Sequence, residues 1–189
     1  MDYKTIAKQS EGVFTEQRSK FLSFAIPVET PEEVKEIVAG YRKKYYDARH
    51  VCWAYMLGAE RLQFRANDDG EPSSTAGKPI LGIINSNELT NILIIVVRYF
   101  GGVKLGTSGL IVAYRAAAAE AIAQAEIITK TEEEEIEIRF PYAQLNQIMK
   151  IIKEENLTIV SQQFDNECAM LIRAPKGRVE QIKKWLVEK

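Results

Sequence analysis

Several residue types that carry chemistry are scarce in this sequence. Histidine occurs once, at His50, so imidazole acid–base chemistry has a single candidate. Cysteine occurs twice, at Cys52 and Cys168, far apart and without a CxxC spacing. That argues against a disulfide scaffold and a Cys-rich zinc site, and it fits a reducing compartment. Long apolar runs are missing: a run such as Ile92 to Val97 is far too short to span a bilayer. The opening Met1-Asp2-Tyr3-Lys4 has no apolar stretch of the signal-peptide kind, so a cytoplasmic protein with no membrane partner is expected. A charge excess is missing too, since 25 basic residues face 26 acidic ones for a net charge of -1. An unselective coat for nucleic acid is usually strongly basic, so that class is disfavoured, while a local basic patch stays open. What is present is ordinary for a globular protein: 189 residues, 46% hydrophobic and 27% charged, enough for one medium domain or two small ones.

The run Thr129-Lys130-Thr131-Glu132-Glu133-Glu134-Glu135 separates an alanine-rich helical pattern from a new alternating one. It sets a domain boundary near residue 131, with a first domain over 1–131 and a second over 132–189. In the first, strands are expected within 3–14, 20–28, 51–57 and 61–65, and a helix over 31–46 behind Thr30 and Pro31. Thr75 is the expected cap of a helix running toward Asn85. Leu89 to Val97, rich in Ile and Val without alternation, reads as a strand covered on both faces. Thr107 or Ser108 then opens a long helix with a buried stripe of Leu110, Tyr114, Ala117, Ala121 and Ala125. In the second domain the order strand, helix, strand, strand, helix suggests an α+β sandwich of ferredoxin type.

Two loops concentrate polar chemistry. The first, Asp68 to Pro79, carries the carboxylates Asp68, Asp69 and Glu71 together with Thr75 and Lys78. The carboxylates offer oxygen ligands for a divalent cation, partners for nearby bases, or a plain polar turn. The second, Arg98 to Gly109, lies between a buried strand and a helix start. Gly101, Gly102 and Gly106 permit close approaches there, and the helix N–H groups favour an anion. Arg98, Lys104 and Arg115 add positive charge, so this loop suits phosphate, whether of a nucleotide or of an RNA backbone. Its glycine spacing is neither a Walker A loop nor a dinucleotide fingerprint. Tyr99 and Phe100 beside it read as core more than as stacking platforms. His50 reads as a structural hydrogen-bonding residue or a ligand contact, since no nucleophile motif surrounds it. A Cys52–His50 couple is unattractive without an activating electropositive cleft.

These same blocks, with Arg18-Ser19-Lys20-Phe21 and Ala48-Arg49-His50-Val51-Cys52, resemble the YigZ/Impact family over nearly the whole chain. Two positions depart from the expected pattern: serine stands at Ser74 and at Ser108 where glycine is expected. The resemblance implies an α+β protein of two domains. The first would share the fold of a ribosomal-protein domain, elongation factor G domain IV and the GHMP kinases, including a left-handed crossover. The second would be a small ferredoxin-like α/β sandwich, similar to such domains in elongation factor G. The resemblance implies a tie to translation, which eukaryotic members regulate through protein partners with the help of an extra N-terminal domain. The leading expectation is therefore a non-enzymatic binding protein with a translation-related role, contacting RNA or a ribosome-associated protein, with no cofactor. A nucleotide-binding enzyme of GHMP-kinase-like geometry, with Asp68, Asp69 or Glu71 holding Mg²⁺, is the alternative, and a purely protein-binding regulator is the third.

Overall fold

The computed structural model describes residues 1–187. Its elements are β1 (Asp2–Ile6), β2 (Ser10–Glu16), β3 (Ser19–Pro27), α1 (Pro31–Lys44), β4 (His50–Leu57), β5 (Gln63–Asn67), α2 (Gly77–Ser86), β6 (Ile92–Tyr99), α3 (Gly106–Ala123), β7 (Ile127–Thr131), β8 (Glu133–Phe140), α4 (Leu145–Glu154), β9 (Thr158–Phe164), β10 (Cys168–Pro175) and α5 (Val179–Val187). They gather into two compact units, Tyr3–Lys130 and the chain from Thr131 onward together with Met1 and Asp2.

The first unit is built on a five-stranded sheet of order β2-β3-β6-β4-β5, in which every neighbouring pair is antiparallel. β6 holds the centre because Ile92 to Val97 are apolar on both sides, and all six are fully buried. Alternate residues serve different cores. Ile92, Ile94 and Val96 meet α2 and α3, while Leu93, Ile95 and Val97 meet α1. β3 and β4 both run antiparallel to β6, so they are parallel to each other, and α1 links them across the intervening strand. α1 starts where Thr30 accepts a hydrogen bond from the Glu33 N–H at 3.2 Å, with the Glu33 side chain reaching back to the Glu29 N–H. Its acidic first turn and basic last turn both suit the helix dipole.

Several boundaries differ from the sequence expectation. The stretch 3–14 divides into β1 and β2, and β1 pairs with β7 in a separate two-stranded sheet. α2 is capped by Ala76 and not by Thr75, whose buried hydroxyl donates to the Pro72 carbonyl. α3 begins at Gly106, ahead of Thr107 and Ser108. Its buried stripe is wider than expected, with Ala113, Ala118 and Ile122 also covered, while Ala125 lies beyond the helix end.

The second unit packs α4 and α5 on a three-stranded antiparallel sheet of order β8-β10-β9. The last strand in sequence lies in the middle, as in the ferredoxin-like arrangement. Ile136, Ile138 and Phe140 alternate inward on β8 and meet Met170 and Ile172 of β10 and Ile148, Ile152, Ile182 and Leu186 of the helices. Among the described residues, no helix is long and apolar enough to cross a membrane.

Candidate functional site

The sheet register brings the two polar loops together. His50 at the start of β4 stands opposite Arg98 near the end of β6, and Phe21 of β3 stands on the other side of Arg98. Opposite residues share a face, so all three point toward α2 and α3. The Asp68–Pro79 loop folds over this end. Its Glu71, 8% exposed as a residue, meets Arg98, 5% exposed, with Arg98 Nη1 2.9 Å from Oε1 and 2.7 Å from Oε2. His50 Nε2 is 3.0 Å from Oε1, and the Tyr114 hydroxyl donates to Oε2 at 2.7 Å. Both carboxylate oxygens thus have a donor, Arg98 of β6 on each and Tyr114 of α3 on Oε2, with His50 of β4 beside Oε1. On its other side, His50 Nδ1 lies 2.7 Å from the Asp69 carbonyl, which can only accept.

The remaining carboxylates shape the loop. Asp68 Oδ1 accepts from Ala76 N and Gly77 N, at 3.1 and 2.8 Å, and its Oδ2 accepts from Ser74 N at 2.9 Å. It therefore satisfies the free N–H groups at the start of α2, the task assigned above to Thr75. Asp69 Oδ2 accepts from Val51 N at 2.8 Å, and Oδ1 pairs with Arg42 at 3.0 Å. Among the described residues, no group of three or more His, Cys, Asp and Glu side chains is placed to hold a metal.

A cleft of about 410 Å³ opens above this cluster. His50, Glu71 and Arg98 form its floor, Arg49, Phe100 and Lys104 its rim, and Gly106 and Thr107 bring it the start of α3. The Phe100 ring is exposed, contrary to the core reading, and the guanidinium carbons of Arg49 and Arg98 lie 5.0 and 5.6 Å from its centroid. Gly102 and Gly106 hold φ of +90° and +73°, a region that glycine enters without strain. Gly101 serves a different need, because a Cβ there would run into the Arg18 backbone. Its N–H donates to Ser19 Oγ at 3.3 Å. Lys78 and Arg115 are exposed and do not line the cleft, and Thr75 is buried beneath the loop.

Charge separates floor from rim. The floor's Arg98 is paired inside the protein, so the cations facing an incoming ligand are Arg49 and Lys104. Tyr114, Ser19 and Arg49 belong to the site although the sequence reading assigned them no ligand role. A hydroxyl on the otherwise apolar buried stripe of α3 was the available signal for Tyr114. Burial pushes the Tyr114 hydroxyl well above its ordinary range, which keeps it a neutral donor to Glu71. Burial likewise pushes up the Cys52 thiol, whose Sγ lies 3.1 Å from the Asp68 carbonyl and 3.4 Å from the Tyr114 oxygen.

Residues 17–122 match the Impact N-terminal domain, and residues 138–189 match a domain of unknown function, DUF1949. The chain belongs to the IMPACT family. It is 31% identical to an IMPACT family member of Haemophilus influenzae, a match covering 97% of this chain and 91% of that protein. It is 30% identical to IMPACT family member YigZ of Escherichia coli, covering 91% and 85%. A crystal structure described as a hypothetical protein superposes with a TM-score of 0.76 at 29% identity, covering 99% of this chain and 92% of that one.

Proposed function

We propose that this IMPACT-family chain is a non-enzymatic binding protein with a translation-related role, and that it takes RNA at the cleft beside the start of α3. The observation that carries the binding reading is the saturation of Glu71. A general base needs a free lone pair directed at a proton of the substrate. Glu71 has donors on both oxygens, and Asp68 and Asp69 accept backbone N–H groups away from the cleft. The Cys52 thiol is fully buried and held protonated, so it supplies no nucleophile. What faces the ligand is a positive rim, an exposed aromatic ring and the first turn of an 18-residue helix. Phosphate is attracted by the cations and by the helix N-terminus, and single-stranded RNA offers phosphate beside a flat base. The translational setting comes from the family resemblance, which implies that eukaryotic members regulate translation.

The test is a pull-down from lysate with and without RNase, scoring RNA and ribosomal proteins separately. RNA recovered with the wild-type chain and lost with Arg49→Ala/Lys104→Ala is the expected result. An RNase-resistant protein partner with no bound RNA would replace this reading with a purely protein-binding one.

A further inference from the structure

The opposite face of the five-stranded sheet carries a second cavity, remote from the reading above. It measures about 570 Å³ and lies in the angle between α1 and the β4–β5 edge. α1 presents Val34 and Val38 to it, and β4 presents Trp53 and Tyr55. The two rings are stacked, with centroids 5.8 Å apart and planes 6° apart. Trp53 is 8% exposed, yet its indole Nε1 has no hydrogen-bond partner. Buried N–H groups without an acceptor are uncommon, because the water lost on burial is not replaced. Trp53 therefore lines an apolar space while its own N–H, shielded from solvent in this state, is a donor in want of an oxygen.

The rim has a sign. Lys35, Arg42 and Arg65 surround the cavity against one carboxylate, Glu32. Arg42 is engaged by Asp69 at 3.0 Å. Arg65 is exposed, with its guanidinium carbon 5.8 Å from the centre of the Trp53 ring. A cation resting on a ring face is a weak partnership when water reaches it, so Arg65 is able to exchange the ring for an anion.

We propose that this cavity binds a small carboxylate carrying an apolar or aromatic body. The body fills the space between Val34, Val38 and the Trp53–Tyr55 stack. The carboxylate pairs with Lys35 and Arg65, and one of its oxygens takes the Trp53 N–H once Arg65 has turned outward. The volume falls within the usual range of small-molecule pockets, and the mixture of apolar walls with few polar groups is typical of them. An inorganic anion has no body to fill these walls, and a neutral hydrocarbon has nothing to offer Lys35, Arg65 or the indole N–H.

The experiment uses the full chain carrying Trp185→Phe, which leaves Trp53 as the sole indole. Trp53 emission is followed during titration with 4-phenylbutyrate, its methyl ester and inorganic phosphate, with circular dichroism as the fold control. The expected result is a saturable change with 4-phenylbutyrate and an ester binding about tenfold more weakly. Phosphate is expected to give no change. Lys35→Ala/Arg65→Ala should weaken the acid about tenfold and leave the ester unchanged. Ala39→Phe, which fills the mouth from an exposed position of α1, should remove both signals. No saturable change up to about 10 mM 4-phenylbutyrate, equal affinity for acid and ester, or full binding in a folded Ala39→Phe variant would overturn the proposal.

Discussion

Glu71 is the residue on which the cleft depends. Its charge is buried with that of Arg98, and neither group has access to enough water to stand alone. Glu71→Ala is expected to lower stability by about 3–5 kcal/mol, because it strands a buried guanidinium. Urea unfolding measures this, and a loss below about 1 kcal/mol, the worth of an exposed pair, would contradict it. Two neighbours make a pH prediction. Cys52 and Tyr114 have raised values in the folded protein, where burial holds them protonated, whereas in the unfolded chain they ionise near 9.0 and 10.0. The folded state therefore binds more protons in alkali, and stability is lost as pH rises beyond about 9. Cys52→Ala is expected to move the onset of that loss upward in urea midpoints taken from pH 7 to 11, as described for linked titrations. An unchanged onset would contradict the assignment. Ser74 explains one departure from the family pattern. Its φ is +65°, where a side chain is strained and glycine is not. Ser74→Gly is expected to stabilise the protein by up to about 1 kcal/mol, less whatever the added freedom of the unfolded chain removes. A destabilised variant would show that the Ser74 side chain does more than tolerate its position.

At the scale of elements, the sequence was most legible where one pattern ran unbroken. The Ile and Val run gave β6 and its two covered faces, and the Thr30-Pro31-Glu32-Glu33 start gave α1. It was less legible where the partner lay far along the chain. The sequence offers the carboxylates of the other loop as partners for nearby bases without singling out a pair, and it is Glu71 that occupies the Arg98 guanidinium. Arg98 accordingly reads as a ligand-facing cation and is found as part of the floor. Phe100 fails in the opposite sense: it follows a buried strand, and the turn at Gly101 and Gly102 carries it outward, where two guanidiniums meet it. The cap of α2 was assigned to Thr75 by proximity, but Asp68, eight residues before Ala76 in the chain, reaches the free N–H groups because the loop doubles back. Ser108, the second departure, sits in the first turn of α3, where serine fits a helix better than glycine does.

At the scale of the whole molecule, the chain divides into two units of different construction, each with its own core. Only Glu132 lies outside regular structure between β7 and β8. Limited proteolysis with a glutamate-specific protease is expected to cut first between residues 128 and 135 and to leave both fragments folded, as separable domains do. First cleavage elsewhere would contradict the separation.

The cleft belongs wholly to the larger unit, and its proposed binding of RNA is the account's central claim. Filter-binding titration of a single-stranded ribosomal RNA fragment, repeated across salt concentrations, tests it most directly. Each phosphate contact removed should make the salt slope shallower by roughly one. Arg49→Ala/Lys104→Ala, which touches only the exposed rim, is predicted to lose affinity and flatten that slope while circular dichroism stays unchanged. Wild-type affinity and slope in the folded double variant would contradict the account.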